Sequence, residues 1–123
     1  MSEVTIDLVD RLVRRVPALE PLLREHLADN FGEVLPHLFF GELTRYVVSE
    51  LGGAGDDPRT QERKAALQTL LDELEEGFAN GGEEVAELIC VSFLENLPRK
   101  GEEGDVVRDL LGPRLKSELK RIG

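Results

Sequence analysis

The chain has one cysteine, no tryptophan, one tyrosine and two histidines among its 123 residues. A single cysteine cannot close an internal disulfide, which excludes a small disulfide-stapled scaffold and agrees with a reducing compartment. Aromatic residues are only 5% of the total, and apolar/polar alternation never persists long enough to read as a strand. No apolar run nears the roughly 18 residues of a membrane span. The first ten residues lack the basic start and apolar centre of a secretory signal, so the expected compartment is the cytoplasm.

Chemistry-bearing motifs are equally scarce. There is no His-Glu-x-x-His, no Glu-x-x-His of the di-iron type and no nucleophile elbow. The loop Gly52-Gly53-Ala54-Gly55 lacks the Lys-Ser/Thr of a phosphate loop and follows a helical pattern rather than a strand. No catalytic residue and no cofactor are assigned.

What the chain has in quantity is charge and helical periodicity. Apolar residues are 41% and charged residues 33%, with a net charge of −10. This is one soluble domain over residues 1–123, long enough to bury a core. The charge is uneven: Asp72–Asp109 holds twelve acidic and three basic residues, whereas Leu110–Gly123 holds four basic and one acidic. Such a field repels nucleic-acid phosphates and anionic membranes and attracts basic partners.

Leu8, Val9, Leu12, Val13 and Val16 recur at helical spacing and predict a first helix, with Ser2 or Thr5 as its cap and Pro17 as its end. Leu19, Leu22, Leu23, Leu27 and Phe31 mark a second, closed by Asn30-Phe31-Gly32. A third is expected from about Glu33 to Leu51, with Pro36 in its first turn and a close backbone approach at Gly41. Asp57-Pro58 caps and opens a fourth, whose stripe is Leu67, Leu70, Leu71, Leu74 and Phe78.

From Gly82 to Leu97 apolar residues point almost all round, so a fifth helix should run to Pro98 sheathed by the others. Cys90 is then an inert core thiol. A polar connection follows Pro98, and Asp105 caps a last helix through Val106, Val107, Leu110 and Leu111. Gly112-Pro113 interrupts it before Leu115, Leu119 and Ile122. The fold class is therefore all-α, about six helices packed as hairpins around the buried fifth. The pairs 7–31, 33–79 and 83–122 form either a short HEAT-like array or a compact bundle.

Three sets of side chains are candidates for function. The acidic residues Asp72, Glu73, Glu75, Glu76, Glu83, Glu84 and Glu87 crowd the hairpin between the fourth and fifth helices and suit a basic protein partner. His26, Glu33 and His37 lie near the turn between the second and third helices. Glu33 and His37 would share a helix face at a spacing of four, and nitrogen with carboxylate oxygen is a metal-ligand set. Glu42 and Arg45 should pair with each other in solvent. Asn96 should bond a helix end or the chain before Pro98.

The stretches Gly-Glu-Val-Leu-Pro-His-Leu-Phe-Phe-Gly-Glu-Leu-Thr-Arg-Tyr-Val (32–47) and Glu-Glu-Val-Ala-Glu-Leu-Ile-Cys-Val-Ser-Phe-Leu-Glu-Asn-Leu (83–97) resemble a family of small bacterial helical domains of unknown function. The acidic fourth helix and the closing Leu-Leu-Gly-Pro-Arg-Leu fit the same family, so the likeness runs from about Leu8 to Leu119. In size and charge the chain is also similar to immunity proteins, a likeness that transfers no site residue. The expected function is a non-enzymatic protein-binding module, in its most concrete form an immunity-type inhibitor covering a basic toxin domain. The alternatives are a metal-dependent enzyme using Glu33, His26 and His37, or a scaffold that homodimerises through the third helix.

Overall fold

A computed structural model describes residues 3–52, 58–99, 101–102 and 106–122. Within them the chain forms seven α-helices and no strand: α1 (Glu3–Arg15), α2 (Glu20–Asp29), α3 (Pro36–Gly52), α4 (Pro58–Asn80), α5 (Glu83–Ser92), α6 (Val106–Leu110) and α7 (Pro113–Ile122). Short 3₁₀ turns cover Pro17–Leu19 and Leu94–Asn96. No helix among the described residues is long and apolar enough to cross a membrane.

Prolines set several of the boundaries. Val16 takes non-helical angles (φ −127°, ψ 83°) before Pro17, because a proline ring crowds the helical conformation of the residue ahead of it. For the same reason α3 begins at Pro36 and not at Glu33, whose segment 33–35 stays outside any helix. Pro58 and Pro113 open α4 and α7, where the missing N–H has no intrahelical partner to lose. Thr5 does not cap α1; it is buried inside that helix. Ser2, Asp57, Asp105 and residues 53–55 of the expected glycine loop lie outside the described residues, while Gly52 closes α3.

The core is one cluster with α5 at its centre. Val85, Leu88 and Ile89 of α5 are buried against α3, α4 and α1, together with Phe39, Phe40, Leu43, Leu70, Leu71, Leu74 and Leu12. Each such side chain contributes about 1.5–3 kcal/mol by leaving water. Because α1 packs on both α4 and α5, the first and last thirds of the chain touch directly. That is a compact bundle, since a linear array would keep them apart.

The central helix differs from the sequence expectation in two ways. It is not sheathed all round: Glu83, Glu84 and Glu87 are exposed and Val91 keeps 46% of its surface in water. It also stops five residues early, at Ser92. A side chain claims the carbonyl that would continue it: Asn96 Nδ2 donates to Ser92 O at 2.9 Å, and Thr44 Oγ1, which bonds Phe40 O at 2.7 Å, also lies 3.2 Å from Ser92 O. The Asn96 backbone N–H turns instead to Phe93 O at 3.2 Å, a tighter 3₁₀ closure. Gly41, for its part, meets nothing within 4 Å of a Cβ built there, so no backbone approaches it.

Candidate binding groove beside the acidic hairpin

The turn between α4 and α5 is built from two glycines. Gly81 N–H donates to Gly77 O at 2.7 Å, and a Cβ on Gly81 would stand 2.6 Å from that same oxygen and 2.8 Å from Val85 Cγ1. Gly82 follows with φ 88° and ψ 177°, a region open essentially to glycine alone. The chain thereby reverses within two residues and sets the start of α5 beside α1.

Between α1 and this hairpin lies a groove of about 220 Å³. Its floor is apolar, made by Val4, Leu8, Gly77, Gly81 and Val85. Its rim is polar, carrying the charged Asp7, Arg11, Glu73 and Glu76 with the amide of Asn80. Arg11 Nε bonds Glu73 Oε2 at 2.8 Å, and Arg15 Nε lies 3.3 Å from Glu73 Oε1. Arg11 Nη2 reaches Glu76 Oε2 only at 3.6 Å, and Glu76 stays 59% exposed.

The seven acidic candidates therefore divide by what their carboxylates touch. Glu73, with 12% of its side chain exposed, neutralises α1 rather than facing solvent. Glu75 crosses to α7, accepting the N–H groups of Arg114 at 3.0 Å and Leu115 at 2.9 Å. It thereby satisfies free amides and meets the positive end of that helix. Gly112 makes room for it, since a Cβ there would lie 2.6 Å from Glu75 Cδ. Asp72 accepts from Gln68 Nε2 at 2.9 Å within α4 and is exposed. Glu76, Glu83, Glu84 and Glu87 remain as exposed negative charge, the pair Glu83 and Glu84 also sitting in the first turn of α5, where its dipole favours them.

The two histidines have separate duties. His26 is 1% exposed. Its Nε2 accepts Leu35 N–H at 3.0 Å, which places the ring proton on Nδ1, donating to Glu42 Oε2 at 3.0 Å. Phe39 packs edge-on to the ring at 5.4 Å between centroids. Glu42 thus turns to His26 and does not form the expected solvent pair with Arg45. His37 is exposed at the start of α3, with Nδ1 2.6 Å from Ser92 Oγ. Glu33 is exposed and lies ahead of α3, so it shares no helix face with His37. Among the described residues no three His, Cys, Asp or Glu side chains are grouped to hold a metal ion.

Cys90 is half-buried, not a core residue, because its side of α5 faces the exposed edge of α7 and not the central cluster. Its thiol points to Glu118 Oε1 at 3.8 Å. Burial first, then the carboxylates of Glu118 and Glu95, pushes the thiol's pKa up, against the opposing pull of Arg121. Arg121, bonded through Nε to both oxygens of Glu118, draws that carboxyl below its ordinary range. The sulfur is accordingly held as the unreactive thiol.

Periodicity did not single out Arg11, Val4 or Gly77. The available signal was a glycine within a helix otherwise made of good helix formers. The model of the family described as Domain of unknown function (DUF7674) matches residues 9–122. No match was found among curated proteins or among solved structures. The chain belongs to that family.

Proposed function

We propose that the protein is a non-enzymatic binding module of the cytoplasm that covers a basic protein partner with the acidic face around the α4–α5 hairpin, as an immunity-type inhibitor covers a toxin domain. The observation that supports this reading is the exposure of Asp72, Glu76, Glu83, Glu84 and Glu87 around one turn, while Arg11 and Arg15 attend chiefly to Glu73. A one-signed surface of this kind speeds encounter with an opposite charge and makes association sensitive to salt. The single cysteine agrees with a reducing compartment.

The alternative of a metal-dependent enzyme draws little support, because His26 is occupied at both nitrogens and Glu33 and His37 do not share a helix face. The test is titration calorimetry of the protein against basic domains encoded beside it, at low and high salt. Binding should weaken steeply with salt, and the triple reversal Glu76→Lys, Glu84→Lys, Glu87→Lys should abolish it. Glu75 is unsuitable for reversal because it also holds α7. Absence of binding at low salt, or binding indifferent to the triple reversal, removes this reading.

A further inference from the structure

We infer that the groove between α1 and the α4–α5 hairpin is the seat for a single apolar anchor residue of that basic partner, with Gly77 keeping it open. This rests on the acidic-face reading and adds to it a location and a partner chemistry. The groove is smaller than the roughly 300–1,000 Å³ usual for small-molecule sites, at about 220 Å³. It suits a side chain delivered by a protein, the kind of pocket that binding hot spots fill.

Gly77 is the telling residue. It sits inside α4, where glycine costs about 1 kcal/mol against alanine. Packing does not require it, since a Cβ there would meet Val85, Leu8 and Ile89 side chains at 3.5–3.7 Å, ordinary contact distances. Gly81, by contrast, has no room for a side chain. A larger residue at position 77 would enter the groove that the glycine leaves empty.

Charge at the rim selects the occupant. Asp7 and Glu76 are exposed there. Arg11 is the one cation among the described residues of the lining, bonded to Glu73 at 2.8 Å and only 3.6 Å from Glu76, so the rim stays net negative. An apolar side chain flanked by lysine or arginine satisfies floor and rim together. A second copy of this chain, at a net charge of −10, meets repulsion instead.

The experiment compares an amphipathic peptide of leucine and lysine with a charge-matched peptide in which serine replaces leucine. Fluorescence anisotropy is read against the wild type, Gly77→Leu and the exposed-floor variant Val4→Ser. The wild type should prefer the leucine peptide by roughly tenfold or more. Gly77→Leu should erase that preference while salt-sensitive binding of the serine peptide persists, and Val4→Ser should reduce it if Gly77→Leu does not fold. Equal binding of both peptides by the wild type, or a preference that survives both substitutions, overturns the groove assignment and leaves the acidic face standing. Failure of both peptides to bind at low salt removes both readings. Concentration-dependent doubling of mass that Gly77→Leu abolishes assigns the groove to self-association and overturns the proposed occupant.

Discussion

The turns α2–α3 and α4–α5 do the same geometric work by opposite means. At α4–α5 the reversal is written in missing side chains: Gly81 has no space for a Cβ, and Gly82 adopts angles that other residues avoid. At α2–α3 two successive residues take positive φ where α4–α5 has only Gly82, and the first of them is Phe31, with φ 56° and its side chain wholly exposed. Glycine chemistry alone does not account for that turn.

What holds it is a buried histidine. His26 takes Leu35 N–H on one ring nitrogen and engages Glu42 with the other. Its carbonyl accepts from Asn30 Nδ2 at 2.7 Å, and Gly32 N–H closes onto Leu27 O at 2.8 Å. One turn is imposed locally by steric exclusion, the other from within by polar bonds reaching across nine residues. A left-handed conformation can thus be held at an aromatic residue when the bonds on either side of it, Gly32 N–H to Leu27 O and Leu35 N–H to the buried His26 ring, fix the chain.

The sharpest way to break the contrast is His26→Ala. It opens a cavity beside Phe39 and leaves both Leu35 N–H and Glu42 without their partner, an expected loss of about 3–4 kcal/mol. Denaturant midpoints measure it, and exchange of the Leu35 amide should accelerate. A loss below about 1 kcal/mol, the scale of one ordinary hydrogen bond, would mean that the α2–α3 turn holds itself. Next in size, Gly82→Ala should cost about 2–3 kcal/mol for its backbone region.

Gly81→Ala should follow at about 2 kcal/mol, the scale of an overpacked site, since its methyl meets the Gly77 carbonyl. If either change is silent in thermal unfolding, steric exclusion does not govern that turn. The smallest effect has the opposite sign. Phe31→Gly should stabilise by about 0.5 kcal/mol, relief of left-handed strain outweighing the added entropy of the unfolded chain. A fall in the melting temperature would instead reveal a packing role for the ring.

The same contrast marks how far the residues alone could be read. Apolar stripes at helical spacing were enough for an all-α fold with α5 at its centre, because burial of a stripe is a local pattern. The choice between a bundle and a linear array needed the contacts of α1 with α4 and α5. Gly112-Pro113 and Asn30-Phe31-Gly32 likewise punctuate the chain by their own chemistry. Phe31 misled as a member of the second stripe, because periodicity does not report that the helix has already ended at Asp29.

Pairings between distant elements were not legible. Glu42 has a plausible partner three residues on in Arg45 but meets His26 from another helix. Glu73 and Glu75 look like their neighbours on an acidic helix, and only the packing of α1 and α7 on α4 separates them from the exposed set. The groove could not be foreseen either, since it depends on where two helices meet over a glycine.

The Glu75 clamp ties early sequence to late in a way that bears on synthesis. Its carboxylate waits for amides at positions 114 and 115, while Glu75 itself leaves the ribosome some forty residues sooner. Until those positions emerge, α4 carries a charge aimed at absent donors, and the side of α4 that α7 covers is bare. Emergence of α7 is therefore the step that covers this side of α4, and a stalled chain ending before it would display greasy surface to chaperones.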